Sequence, residues 1–191
     1  MKYLLVGLGN FGNEYAHTRH NIGFDVVNAF LLKHGGSFKN GRLAYIAETR
    51  FKGKKIICIC PTTYMNLSGN AVKYWVDKEK IPVENILVVL DDVALPLSKL
   101  RLRPGGNDGG HNGLKNINVT LGSNNYPRLR FGIGNDYPRG LQADFVLSKW
   151  RKEEEPLVKL KIDGSVEVIE TFVFAGIATA MNAVNNKEFS L

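Results

Sequence analysis

Apolar residues recur along this chain in two rhythms that alternate from one end to the other. Lys2 to Gly7 and Asn85 to Leu90 are near-continuous apolar runs, the pattern of strands buried on both faces. Leu43 to Phe51 and Lys55 to Cys60 flank Lys52-Gly53-Lys54 and predict a hairpin with a short turn. Leu100 and Leu102 alternate with Lys99, Arg101 and Arg103; Leu129, Phe131 and Ile133 alternate with Arg128 and Arg130. Each of these two strands is expected to bury one face and present cations on the other. Helical spacing appears at Val27, Phe30 and Leu31, where Gly35-Gly36 supplies a stop, and again over about Ser68 to Lys78. It returns at Leu114, Ile117 and Leu121, and in the C-terminal region that follows the acidic run Glu153-Glu154-Glu155. Strands alternating with helices predict an α/β fold: a twisted mixed sheet with helices on both sides.

Length and composition narrow the picture. With 191 residues, 44% of them hydrophobic, and no linker-like stretch, residues 1–191 are expected to form a single domain. The longest apolar stretch, Phe172 to Met181, falls well short of the ~20 residues that cross a bilayer. The N-terminus lacks the apolar segment and cleavage site of a signal peptide, so the expected location is cytoplasmic. Lys and Arg number 25 against 18 Asp and Glu, a net charge of +7 that favours a polyanionic partner such as nucleic acid. Cys58 and Cys60 alternate within one predicted strand and are expected to be core thiols; a metal site would need a second spaced pair of ligands, which is missing.

Three polar motifs rich in Asn and Gly stand where predicted strands end. They run from Gly9-Asn10 to His20-Asn21, from Tyr64 to Gly69, and from Gly109 to Gly113. Carboxamides both donate and accept hydrogen bonds, which suits recognition of a peptide-like group beside a proton-transfer centre. His20 precedes a helix, and Asp91 ends the Leu87 to Leu90 strand, where α/β sheets place binding groups. An aspartate there can accept the imidazole Nδ1 proton and fix the tautomer. Each motif also has a purely structural reading. Asp91 or Asp92 could close a turn, Asn66 or Ser68 could cap the helix after them, and Asn112 could cap the helix of Leu114 with His111 exposed in its loop. Gly7-x-Gly9-x-x-Gly12 imitates a dinucleotide fingerprint, but the helix begins too late for its N-terminus to meet a pyrophosphate. These glycines are therefore expected to form a tight turn that lets another group approach Asn10.

Together, GLGNFGNEYAHTRHNIGF (Gly7 to Phe24), PTTYMNLSG (Pro61 to Gly69) and GGHNGLK (Gly109 to Lys115) resemble bacterial peptidyl-tRNA hydrolases, over nearly the whole chain and in the same order. The resemblance implies a monomeric enzyme that cleaves the ester between a peptide, or an N-blocked amino acid, and the 3′ end of tRNA, recycling tRNA during translation. It implies a histidine base at His20, an orienting aspartate at Asp91, and substrate-contacting asparagines at Asn10, Asn66 and Asn112. His111 is expected to shape access to the cleft, and Tyr15 and Tyr64 to lie beside the 3′ terminus. Arg101, Arg103 and Arg130 correspond to phosphate-binding cations, with Lys99 and Arg128 as supplements. No metal or organic cofactor is implied.

The chain departs from the family pattern at Phe11, where Pro is usual, at Leu90, where a polar residue is frequent, and at Ala94, where Asp is common. The rival reading is an RNA-binding protein without catalysis, which would need the basic strands but no working pair of His20 and Asp91.

Overall fold

A computed structural model describes residues 1–191. Its centre is one seven-stranded mixed sheet in the order β2-β3-β4-β1-β5-β7-β6. The strands are β1 (Lys2–Gly7), β2 (Lys39–Asn40), β3 (Ala44–Phe51), β4 (Lys54–Pro61), β5 (Ile86–Asp92), β6 (Leu100–Arg103) and β7 (Arg128–Gly132). Parallel pairing of β4, β1, β5 and β7 makes the middle, and antiparallel β2-β3 and β6 form the margins. The inner strands are buried on both faces, which is why β1 and β5 read as unbroken apolar runs.

Helices α1 (Ile22–His34), α5 (Glu155–Ala175) and α6 (Ile177–Val184) cover one face, where Leu5, Leu87 and Val89 meet Val26, Phe30, Ile169 and Val184. Helices α2 (Ser68–Glu79) and α3 (Asn112–Leu121) cover the other, where Leu4, Val6 and Val88 meet Val72, Trp75, Leu114 and Ile117. Cys58 and Cys60 lie together in the first of these cores, and burial pushes both thiols up. Gly35 ends α1 in the left-handed region at φ 77°. The β3-β4 turn is Lys52-Gly53, with φ of 51° and 77°, one residue tighter than the sequence predicts. The two-residue strand β2 and the five-residue helix α4 (Gln142–Val146) are too short to leave a readable period.

Between β1 and β5 the connections diverge: the chain leaves β1 toward the β4 side of the sheet and leaves β5 toward the β7 side. This reversal opens a crevice at the carboxyl ends of the strands, where the loops after β1, β4 and β5 converge. The glycines of the first loop serve packing. A Cβ on Gly7 would stand 2.3 Å from the Gly23 carbonyl oxygen, and one on Gly9 would stand 2.8 Å from the Asn21 side chain. The start of α1 is thereby seated directly against the end of β1.

The alternating cations of the margin do not share one fate. Arg101 and Arg103 are half-buried and free of ion pairs. Arg128, expected as a supplementary surface cation, is buried instead: its guanidinium donates to the carbonyls of Gly106, Asn107 and Asn124 and holds the loop that covers it. Lys99 pairs with Glu188 at 3.1 Å.

One further cation is buried without a counter-charge. Lys161 of α5 donates to the Gly132 carbonyl at 2.7 Å and lies over the Phe131 ring, and burial brings its ammonium down from 10.5 to about 7. Between these values the unfolded chain holds a proton that the folded one has released, so this group makes stability rise with pH, by up to about 1.4 kcal/mol per pH unit. Chemical denaturation from pH 7 to 8.5, below the range in which the buried Cys58 and Cys60 thiols oppose it, should show this rise in the wild type and not in Lys161→Met, which should be the more stable protein at pH 7.

Candidate active site

His20 occupies a single 3-10 turn, Arg19–Asn21, that runs straight into α1. Its Nδ1 lies 2.8 Å from Asp91 Oδ2 at the end of β5. A carboxylate can only accept, so His20 carries its proton on Nδ1, which leaves Nε2 as the ring's basic atom. His20 is 14% exposed and lines the cleft, while the Asp91 side chain is 2% exposed.

Asp91 has a second partner. His111 Nε2 stands 2.9 Å from its Oδ1, and His111 Nδ1 accepts from the amides of Gly113 and Leu114 at 3.1 and 3.4 Å. Two backbone donors at Nδ1 fix the His111 proton on Nε2, pointing at the carboxylate. His111 is therefore the N-cap of α3 as well as a ligand of Asp91, a role that the sequence leaves to Asn112. Burial alone would raise the Asp91 carboxyl; the attraction of His20 and His111 and their two hydrogen bonds outweigh it and hold the group well below the usual carboxylate range.

His20, Asp91 and His111 bring three potential ligand atoms within 4.8 Å of one another, but the donor chemistry does not suit a metal ion. Coordination through His111 Nε2 would expel its proton, and the two amides at Nδ1 deny it a place on the other side of the ring. The ring would have to bind as imidazolate, whereas metal-bound histidines ordinarily keep a proton on the second nitrogen.

The three asparagines stand around this centre. Asn10 is fixed by Asn21, whose Oδ1 accepts from the Asn10 amide at 2.8 Å and whose Nδ2 donates to the Asn10 carbonyl at 3.0 Å. Asn10 Oδ1 then accepts from the Met65 amide at 2.7 Å, tying the loop after β1 to the loop after β4 and leaving its Nδ2 donors unused by the protein. Asn21 thus joins the site as the group for which Gly9 makes room, and its place in the first motif is the only mark it leaves in the sequence. Asn66 and Asn112 are exposed and make no side-chain hydrogen bond within the protein. Neither Asn66 nor Ser68 caps α2, since Ser68 Oγ donates to the Met65 carbonyl.

These groups line one cavity of about 490 Å³. Tyr64, 63% exposed, stands at its rim, and Gln142, Ala143, Val146 and Leu147 form the wall contributed by α4 and the residue after it. No Ser, Thr, Cys or Lys lines it. Gly109 and Gly110, at φ of 60° and 85°, form the floor of the third loop. Arg130 also reaches the cleft, with Nε 3.0 Å from Asp92 Oδ2; the N–H is bent away from that oxygen, so the contact is an ion pair and not a hydrogen bond. Tyr15, Arg101 and Arg103 lie outside the lining.

His111→Ala should lower stability by about 1 to 2 kcal/mol, through the lost cap. His111→Asn should restore most of this in thermal unfolding, because a short carboxamide can cap α3.

The family model described as peptidyl-tRNA hydrolase matches residues 4–190. The chain is 55% identical to a peptidyl-tRNA hydrolase of Parabacteroides distasonis over 98% of this chain and 100% of that one. It is 51% identical to that of Phocaeicola vulgatus over the same shares. The crystal structure of peptidyl-tRNA hydrolase from Acinetobacter baumannii superposes with a TM-score of 0.92 at 34% identity, covering 97% of this chain and 95% of that one. A match that runs from the first strand to the last residues, in sequence and in fold, places this chain in the peptidyl-tRNA hydrolase family.

Proposed function

We propose that the protein hydrolyses the ester bond between a peptide and the 3′ end of tRNA, with residues 1–191 acting as one catalytic unit and water as the nucleophile. The observation that carries the reading is the Nδ1-anchored imidazole of His20 in a cleft that offers neutral carboxamides and no Ser, Thr, Cys or Lys.

In this scheme His20 Nε2 takes a proton from water as the water oxygen bonds to the ester carbonyl carbon. Asp91 holds the ring in the required tautomer and offsets the charge that it gains. The carbonyl oxygen becomes an oxyanion, for which the uncommitted Nδ2 donors of Asn10, Asn66 and Asn112 are the available partners. Collapse breaks the bond to the ribose 3′ oxygen, which takes the proton back from His20. The products are a peptide acid and free tRNA, and no redox step or cofactor enters.

The same carboxamides favour peptide-like substrates. A free aminoacyl ester lacks the amide group that would pair with Asn66 and Asn112, and unmatched polar groups in a binding site support large discrimination. The tRNA body is held through phosphates at Arg101 and Arg103, whose charges nothing in the protein neutralises, whereas Arg130 shares its charge with Asp92. Tyr64 at the rim, and Tyr15 in the neighbouring turn Asn13–Tyr15, offer faces for terminal bases.

His20→Ala should cut single-turnover hydrolysis of N-acetyl-aminoacyl-tRNA by about 10² to 10⁴, with substrate binding retained; near-native rates would contradict the base assignment. Arg101→Ala combined with Arg103→Ala should flatten the dependence of log KM on log salt by about two phosphate contacts, with kcat little changed. An unaltered slope would remove β6 from the tRNA surface.

A further inference from the structure

Arg19 is the most deeply placed charge near the site that the hydrolytic scheme leaves without a task. It is 2% exposed and immediately precedes His20 in the same turn. Its Nη1 donates to Ser148 Oγ and to the Lys149 carbonyl, its Nη2 donates to Glu154 at 2.7 Å, and its main-chain amide donates to the Ser148 carbonyl at 3.0 Å. The guanidinium lies 4.5 Å from the Phe145 ring centre and 5.0 Å from that of Trp150. Thr18 pairs with Lys149 as an antiparallel bridge.

All of these partners lie in one segment. Between Asn135 and Glu154, the other hydrogen bonds either join residues of the segment to one another, as Tyr137 to Asn135 and Gln142, Leu141 to Pro138 and Arg151 to Asp136, or lead into α5, as the Glu155 amide to the Arg151 carbonyl and the Val158 amide to the Glu154 carbonyl. Apart from the first turn of α5, which continues the chain from Arg151 and Glu154, every hydrogen bond that ties this segment to the rest of the molecule has Arg19 as its donor. The segment includes α4, whose Gln142, Ala143 and Val146 form the cleft wall. A buried charge is costly unless it is paired and fully hydrogen-bonded. Here the planar fork of arginine meets a carboxylate, a hydroxyl and a carbonyl at once while its faces rest on two aromatic rings, a geometry that an ammonium cannot reproduce.

We propose that Arg19 is a positioning residue that locks the α4 wall in register with His20, so that one side chain sets the distance between the base and the surface against which the substrate is held. This deepens the hydrolase reading and rests on it. Loss of Arg19 releases the wall, which raises KM, and loosens the turn that carries His20, which lowers kcat. A variant that is merely less stable would lose active molecules, and hence kcat, without a change in KM.

Trp75 and Trp150 are the only tryptophans, so a Trp75→Phe background leaves Trp150 as a fluorescent reporter of whether the segment is docked. In that background Arg19→Met keeps an unbranched chain against the rings and removes every guanidinium hydrogen bond. The expected result is a red-shifted, more readily quenched Trp150 and a kcat/KM on N-acetyl-aminoacyl-tRNA lower by about ten- to a hundredfold, with a raised KM. Glu154→Gln, which keeps Arg19 and removes one charge, should fall between. Kinetic constants within about twofold of the parent would overturn the proposal whether or not Trp150 moves, and so would lost activity with Trp150 undisturbed or KM unchanged. If Arg19→Met does not fold, Ser148→Ala combined with Glu154→Gln is read by the same criteria. Inactivity of the parent protein, or full activity of His20→Ala, would instead count against the hydrolase reading itself.

Discussion

Two imidazoles donate to one buried carboxylate, and the geometry of the cleft follows from that shared acceptor. Asp91 is 3% exposed, and an isolated carboxylate at that depth would favour its protonated form. It stays charged because His20 and His111 approach its two oxygens at 2.8 and 2.9 Å. The rings arrive from opposite faces of the sheet: His20 from the turn before α1, His111 from the cap of α3. Asp91 is thus the point at which both helical layers are referred to the central strand, and the tautomers of both rings follow from its position.

Other parts of the fold bring the remaining groups to this point. Gly7 and Gly9 let α1 press on the end of β1, and Asn21 uses that closeness to grip both main-chain groups of Asn10. Asn10 passes the constraint to Met65, so the loops that carry Asn10 and Asn66 are tied to each other. The polar stretch after β1 is therefore an organiser of the cleft from end to end. Its glycines resemble a nucleotide fingerprint because both motifs need the backbone of a helix to approach a strand closely. Here the approaching group is the protein's own asparagine.

Much of this could be read from the amino-acid sequence, and the unread remainder has a common physical cause. The buried strands β1 and β5, the hairpin, and helices α1, α2 and α3 declare themselves through apolar periodicity, and two of the Asn-rich motifs follow the ends of β1 and β4, while the third, expected at a strand end, is instead the start of α3. Periodicity also places Arg128 and Arg130 on the face away from the core of Leu129 and Phe131. It is silent about what covers that face, so the burial of Arg128 beneath the loop of Gly106 and Asn124, and the pairing of Arg130 with Asp92, escape it. The bond from His111 to Asp91 and the ties from Arg19 to Ser148, Lys149 and Glu154 join residues far apart in the chain. No local pattern encodes such pairs. Family resemblance could point to His20, Asp91 and the asparagines, but the partners that hold them required the folded chain.

The opposed tautomers of His20 and His111 are the central claim in its most measurable form. Nitrogen-15 NMR of the histidine side chains in the folded, ligand-free protein reads the proton position on each ring directly. At neutral pH His20 should carry its proton on Nδ1 and His111 on Nε2, with both bonded protons shifted far downfield. If both rings show the same tautomer, or if Asp91→Asn leaves the His20 signals unchanged, the shared carboxylate is not what sets the site.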